Sequence, residues 1–316
     1  MKLITGGAGF IGGNYLHYLY KKDPTDRVIC VDSLTYASNY SYIKPLIDCG
    51  FVVFEQCNIA DEYAISEVFK KYNPDQIVNF AAESHVDNSI FDFQPFVTTN
   101  ILGTINLLQC ARKNLKLKKF VHISTDEVFG SLELNDTNSF KETTAYKPNS
   151  PYSASKASSD HFVNVFRTTY ELPTVITNCS NNYGPSQNKE KLIPKIIHNA
   201  INDINIPLYG DGLNIRDWLY VEDHCLGIDL VLQNGKIGES YNIGGGVELS
   251  NIDLIKMILK LLNKPESLIE YVDDRLGHDR KYSINCDKIQ NELGYFPRYT
   301  LEQGITMTLE WNKNGI

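Results

Sequence analysis

The 316-residue sequence has no CxxC pair, no HExxH or other metal-ligand spacing, no internal repeat and no low-complexity linker. It also lacks any apolar run near the ~20 residues a membrane span needs. Its seven cysteines (Cys30, Cys49, Cys57, Cys110, Cys179, Cys225, Cys286) are scattered, which excludes a disulfide framework and reads as reduced thiols in a reducing compartment. Met1 and Lys2 run straight into an apolar strand pattern, so no signal peptide is expected. Basic residues are in deficit, 30 against 38 acidic, for a formal charge of −8. That balance argues against a general nucleic-acid binder. It leaves room for an anionic small molecule, because a few placed arginines can hold one phosphate. With 42% hydrophobic and 22% charged residues, the chain is ordinary for a soluble globular protein, and a cytoplasmic location is expected.

What is present is βα alternation. Short β-branched runs at 2–5, 27–31, 51–55, 76–80, 119–124 and 174–178 are continuously apolar, as strands of a parallel sheet covered on both faces should be. Helical patterns lie between them at 11–20, 62–71, 95–112 and 152–170. The expected fold is α/β, a doubly wound parallel sheet of Rossmann type with a smaller C-terminal substrate lobe. After residue 178 the texture changes. Asn, Gly and Pro cluster at 178–188 and 207–216, with helical patterns at 192–201, 221–231, 251–262 and 301–311. Residues 1–178 are read as the cofactor domain, with 217–243 returning to it. Residues 179–216 and 244–316 are read as the second lobe, closing over the carboxyl edge of the sheet.

TGGAGFIGG at 5–13 follows the first strand and opens the first helix, with Gly6, Gly9 and Gly12 at GxxGxxG spacing. Glycine there permits a tight turn and close approach of backbone to a pyrophosphate, which the helix N-terminus then attracts. The second strand ends at Asp32, twenty residues after Gly12. A carboxylate there accepts from a ribose diol and repels a 2′-phosphate; with no arginine following, NAD is expected rather than NADP.

A tyrosine four residues before a lysine on a helix shares its face, and the ammonium should lower the phenol pKa to make a base. Three pairs have this spacing: Tyr18/Lys22, Tyr40/Lys44 and Tyr152/Lys156. Only Tyr152/Lys156 opens a long helix after the fifth strand, at the nicotinamide end. That strand runs into Thr125, Asp126 and Glu127. Two adjacent carboxylates in a desolvated pocket should repel, pushing one pKa up and leaving the other ionised, an acid beside a base. Eliminating water from a sugar needs that combination.

The segments TGGAGFIG, DSLTYASN, FAAESHVDNSI, STDEVFG, SPYSASKASSD, NCSNNYGP, EKLIP, YGDGLNIRDWLYVEDH, YNIGGG and DRLGHDRKY run nearly end to end. Through them the chain resembles the dTDP-glucose 4,6-dehydratases, hydro-lyases of the extended short-chain dehydrogenase/reductase superfamily. The glycine and tyrosine–lysine motifs mark the superfamily; STDEV with NNYGP, RDWLYVEDH and the DR-GHDR segment is more specific.

The resemblance implies oxidation at C4, loss of water across C5–C6 and hydride return to C6, with bound NAD regenerated each turnover. It implies that Tyr152, with Lys156, removes the O4 proton, that Glu127 takes the C5 proton, that Asp126 protonates the leaving C6 hydroxyl, and that Thr125 bonds the C4 oxygen. It implies NAD contacts at Gly6, Gly9, Phe10, Ile11, Gly12, Asp32, Ser33, Leu34, Thr35, Asn58, Ile59, Phe80, Ala81, Ala82, Glu83, Ser84, Thr99, Tyr152, Lys156 and Asn182. It implies nucleotide-sugar contacts at Ser84, Ser124, Asn181, Lys191, Leu192, Pro207, Leu208, Tyr209, Arg216, Asn251, Asp274, Arg275, Leu276, Gly277 and His278. Arg216 and Arg275 suit pyrophosphate, since guanidinium meets phosphate oxygens in a fixed fork. A homodimer through the helices at 95–112 and 152–170 is implied as well. Asn58, Asn88, Leu276 and Phe129 depart from the usual Asp, Arg, Pro and Tyr. No metal, membrane or nucleic-acid partner is expected, and His85 is read as a structural hydrogen-bonding residue.

Three other readings remain open: a UDP-glucose 4,6-dehydratase, a nucleotide-sugar epimerase or decarboxylase, and a non-catalytic NAD-binding regulator. An epimerase has no use for the Asp126/Glu127 pair, and a sensor has no use for all five catalytic residues.

Overall fold

The computed structural model describes residues 1–313. Six runs form strands close to where the sequence puts them: β1 (Lys2–Thr5), β2 (Val28–Asp32), β3 (Val52–Gln56), β4 (Gln76–Asn79), β5 (Lys119–Thr125) and β6 (Thr174–Cys179). The second half of the chain adds β7 (Asn181–Tyr183), β8 (Ile206–Tyr209), β9 (Ile215–Tyr220), β10 (Ser240–Ile243), β11 (Glu248–Ser250) and β12 (Ile269–Val272), of which only β10 joins the large sheet. A seven-stranded sheet has the order β10-β6-β5-β4-β1-β2-β3, and every pairing in it is parallel. All residues of β1, β2, β5 and β6 are buried, as the apolar runs require of a sheet covered on both faces.

The helices are α1 (Phe10–Lys22), α2 (Tyr40–Asp48), α3 (Glu62–Tyr72), α4 (Val86–Phe91), α5 (Gln94–Phe96) and α6 (Thr104–Arg112), followed by α7 (Pro151–Tyr170). In the second half come α8 (Leu192–Ile201), α9 (Val221–Asn234), α10 (Asn251–Leu261), α11 (Asp287–Leu293) and α12 (Leu301–Lys313). Two cores flank the sheet. Tyr15, Leu16 and Leu19 of α1 meet Ile228 and Leu232 of α9 on one face. Ile65 and Phe69 of α3, Leu107 and Leu108 of α6, and Val163 and Phe166 of α7 fill the other. A third core holds the smaller lobe, where Ile193, Trp218, Leu254 and Ile305 pack around the β11-β9-β7 sheet and the β12-β8 pair.

The strand order reverses beside β1, whose neighbours are β2 and β4. Ligands of open α/β sheets bind in the crevice outside such a switch point. One departure matters here. The continuous helix expected over 95–112 is broken by a π-helical stretch, Val97–Gly103, between α5 and α6. A π-turn re-aims side chains without ending the helix.

Candidate active site

The glycine loop has the geometry its spacing demands. Gly6 sits at φ +67°, and a Cβ there would lie 2.7 Å from the Ala81 nitrogen. A Cβ on Gly12 would lie 2.3 Å from the Gly6 carbonyl oxygen, so the first turn of α1 closes on the loop only without one. At the end of β2, Asp32 is buried. Its Oδ2 accepts from the Ala8 amide (2.9 Å), and its Oδ1 accepts from the Leu34 amide (2.8 Å) and the Ser38 hydroxyl (2.8 Å). The acid is thereby fixed against the glycine loop before any ligand arrives.

From this loop a cleft of about 710 Å³ runs past the ends of β4 and β5 to α7, within the size range of small-molecule sites. All expected NAD contacts line it except Leu34. Leu34 instead packs its side chain against the sheet core, with its backbone at φ +56°.

The π-stretch explains residues that sequence reasoning passed over. It brings Thr98 into the cleft beside Thr99. It also lets buried Asn100 donate to the Glu83 carbonyl (3.0 Å) and the Ser155 hydroxyl (2.8 Å) while accepting from the Glu83 amide (2.8 Å). VTTNILG has no pattern that distinguishes it from ordinary helix. Trp218, between Arg216 and Tyr220 on β9, lines the cleft as well, with its indole nitrogen buried and unpartnered.

At the far end, β5 delivers Thr125, Asp126 and Glu127. The Thr125 hydroxyl caps the tight turn Asp126–Phe129 by accepting from the Glu127 amide (3.3 Å). Opposite, Ser150 and Ser153 form a reciprocal capping box with Pro151 at the first helical position. They start α7 where Tyr152 and Lys156 face the cleft. The other two tyrosine–lysine pairs resolve as surface packing: Lys22 pairs with Asp229 (2.6 Å) and Lys44 with Asp48 (2.6 Å).

The protonation picture corrects two expectations. Asp126 and Glu127 are both raised above ordinary carboxylates, where only one was expected to be. Burial is the first cause for each, and mutual repulsion adds only to Asp126. The two still separate: Arg275, Lys191 and Arg216 pull Glu127 back down, while Asp126 is driven well up. Asp126 also keeps Oδ2 buried and unpartnered. The Tyr152 phenol, expected to be lowered, is instead pushed well above its usual value by burial and then by the Glu127 charge. Lys156 makes no hydrogen bond to it among the described residues; its Nζ donates to the Ile123 carbonyl at 2.8 Å.

The expected nucleotide-sugar residues fall into two groups. Ser84, Ser124, Asn181, Lys191 and Leu192 share the cleft. Pro207, Leu208, Tyr209, Arg216, Asn251 and the loop 274–278 lie outside its lining, in the smaller lobe. Leu208 is only 1% exposed and its side chain belongs to the lobe core. Arg216 is buried, stacks 4.3 Å from the Tyr282 ring and gives its two terminal nitrogens to the Ile215 and Asp279 carbonyls (both 2.8 Å). Its positive charge meets no carboxylate among the described residues. Arg275 pairs with Asp87 (3.1 Å) and leaves Nε buried and unpartnered. His278 Nδ1 donates to the Asp274 carboxylate at 2.6 Å. His85 caps α4 by accepting from the Asn88 amide (3.2 Å).

The sequence model of a family described as GDP-mannose 4,6 dehydratase matches residues 3–308. The dTDP-glucose 4,6-dehydratase of Xanthomonas campestris pv. campestris (strain B100) is 47% identical over 326 residues, covering 98% of this chain and 92% of its own. The chain belongs to the dTDP-glucose 4,6-dehydratase family. The enzyme of that family from Shigella flexneri is 48% identical, with 98% of this chain and 91% of its own covered. Among solved structures, the dTDP-glucose 4,6-dehydratase of Bacillus anthracis, in complex with NAD, superposes with TM-score 0.92 at 46% identity, covering 99% and 96% of the two chains. A UDP-glucose 4-epimerase of Thermotoga maritima superposes almost as well (TM-score 0.91) at 27% identity, covering 99% and 98%. Overall shape is therefore shared with epimerases, and the dehydratase family is told apart by its residues.

Proposed function

We propose that this chain converts dTDP-glucose to dTDP-4-keto-6-deoxyglucose, with NAD as its resident cofactor. The observation that carries the reading is the buried Asp126 carboxyl beside Glu127, with Oδ1 accepting from the Thr125 hydroxyl and Oδ2 unpartnered, in one cleft with Tyr152 and Lys156. Dehydration needs that acid–base pair and epimerisation does not. The cofactor fits what is present: a glycine cradle that a Cβ would fill, a buried carboxylate at the end of β2, and a cleft that joins them to α7. When bound, NAD would supply the acceptor for the hydride lost from C4 and the donor of the hydride gained at C6. Gly6, Gly9, Gly12, Asp32, Thr99 and Lys156 would hold it.

The side chains have the following tasks. Tyr152 removes the O4 proton as C4 is oxidised, with the Thr125 hydroxyl on the same oxygen and the Lys156 ammonium stabilising the phenolate. The new ketone acidifies C5–H, and Glu127 takes that proton. Asp126, kept protonated by its burial, gives its proton to the C6 hydroxyl, which leaves as water. Arg216, Arg275 and Lys191 hold the pyrophosphate; a buried guanidinium without a carboxylate partner favours an anion. Exposed Leu102, Phe162 and Val165 support a homodimer. Light scattering at micromolar concentration tests it, and a monomer would end that part of the reading. Free thiols support a cytoplasmic setting.

The test is to incubate the pure protein with dTDP-glucose, and separately with UDP-glucose, without added reductant. Loss of one water to a 4-keto-6-deoxy product, with deuterium from C4 recovered on C6, is expected, faster with the thymidine nucleotide. A 4-epimer with all water retained would overturn the reading.

A further inference from the structure

Behind the catalytic residues lies a buried polar cluster that the reaction does not use directly. Its centre is Asp160 on α7, one turn beyond Lys156 and wholly inaccessible to solvent. Oδ2 accepts from the Ser124 hydroxyl (2.7 Å) and from the Tyr146 hydroxyl (3.0 Å). Oδ1 lies 3.4 Å from His122 Nε2. The His122 tautomer follows from its other nitrogen, which faces the Asn79 amide at 3.1 Å; Asn79 Oδ1 in turn accepts from Thr5 (2.6 Å). Nε2 therefore carries the proton and donates it to Ser159 (3.2 Å), which leaves Asp160 Oδ1 buried without a hydrogen bond. No arginine pairs with Asp160 among the described residues; the cation on the same face of α7 is Lys156, one turn earlier, which feels this carboxylate through space and not through a direct ion pair.

Two consecutive residues of β5 are thus held from one helix: Ile123 by its carbonyl to Lys156, Ser124 by its hydroxyl to Asp160. Thr125, Asp126 and Glu127 follow immediately. The Ser124 proton is spent on Asp160, so toward the cleft this oxygen can only accept a hydrogen bond. We propose that Asp160 is a positioning residue, which with Lys156 clamps the end of β5 beneath the catalytic acid and base and supplies the buried negative charge that keeps the Lys156 ammonium in place. The proposal rests on the dehydratase reading above.

Burial lowers the Lys156 pKa, and Asp160 is the first group opposing that fall. The other groups facing the pair do not substitute for it. His122 is held neutral by burial and by Lys156, while the Cys179 thiol on β6 and the Tyr146 phenol are both pushed far up by burial. Asp126 and Glu127, at the end of the clamped strand, are raised as well.

The test compares kcat against pH for dTDP-glucose with the holoenzyme and with Asp160→Asn and Asp160→Glu. In Asp160→Asn the alkaline limb should move to lower pH by about one unit, since a buried opposite charge one helical turn away shifts a pKa by that order. Asp160→Glu should return it toward its original position whatever its absolute rate. A purely structural role would lower kcat at all pH values and leave the limb where it was, and that result would overturn the proposal. Thermal melting gives a second test that needs no activity. Lys156→Met strands a carboxylate and Asp160→Asn strands an ammonium, so the double variant should melt above either single one. If the two losses simply add, the residues are not a pair. A wild type inert toward dTDP-glucose would sink the dehydratase reading alone, because the melting test would still decide the pair.

Discussion

The Lys156 Nζ lies 2.8 Å from the carbonyl oxygen of Ile123, two residues before Thr125. The ammonium is anchored to the strand that carries the catalytic acid and base, on the same helical face as Tyr152. It is one element of the site and one support of its geometry.

Replacing Lys156 with Met should therefore be felt twice. Turnover of dTDP-glucose should fall by ~10²–10⁴, the usual worth of a positioned proton-transfer system. Stability should fall by about 1–3 kcal/mol as the buried Ile123 carbonyl loses its donor. Steady-state rates and urea titration check the two effects. A variant with lost activity and unchanged stability would place the lysine's role in the chemistry alone.

Glu127→Gln should abolish exchange of the C5 hydrogen with deuterated water while leaving cofactor content unchanged. Mass spectrometry of recovered substrate and product reads this directly. Normal exchange in that variant would remove Glu127 from the role of base.

Asp126→Asn should oxidise C4 and then stall, because no proton reaches the C6 hydroxyl. Reduced cofactor should accumulate in a single turnover, seen as absorbance near the NADH band, and decay at least ~10²-fold more slowly than in the parent. A trace indistinguishable from the parent would reassign the acid.

Asp217, next to Arg216, gives a pH signature in stability. Burial raises its carboxyl to about 6 despite amide hydrogen bonds from Val247, Gly245 and Gly246. The folded state therefore holds a proton that the unfolded chain releases from pH ~4 upward. The contribution is present at low pH and is lost as pH rises to about 6, on the order of 3 kcal/mol in all. His278 works in the opposite sense: burial and Arg275 lower it to about 4, so its share is lost as pH falls below its unfolded value. The clean measurement is thus the difference in melting temperature between wild type and Asp217→Asn, which should shrink from pH 4 to 6 and then level. Parallel curves would contradict the assignment.

Gly12→Ala should cost at least ~1–3 kcal/mol through overpacking, because the new Cβ would sit 2.3 Å from the Gly6 oxygen. Bound NAD in the purified protein should drop with it. Retention of both would mean that the loop relaxes more than its contacts suggest.

Much of this molecule is legible in its residues, and the illegible parts share a cause. The apolar runs at 27–31 and 119–124 read as parallel strands because both faces of the sheet are covered, and burial on both faces leaves no alternation to misread. The glycine loop reads directly because its backbone approaches admit nothing larger. Tyr152/Lys156 could be chosen among three equally spaced pairs only by position along the fold. The Tyr152 phenol was misjudged because spacing reveals which charges are near but not how deeply the ring is buried. The π-stretch, the inward turn of Leu34 and the attachment of Ser124 to Asp160 depend on contacts between segments distant in sequence, where local pattern is silent.

The return of Ser240–Ile243 to the large sheet, beside β6, has a consequence for how the chain matures. Synthesis has passed three quarters of the polypeptide before the last strand of that sheet exists. Until then the row of amides and carbonyls along β6 stands uncovered, a ready template for pairing with another copy. A fragment ending near residue 178 should therefore come out of the ribosome as a sticky half-sheet rather than a free-standing cofactor module.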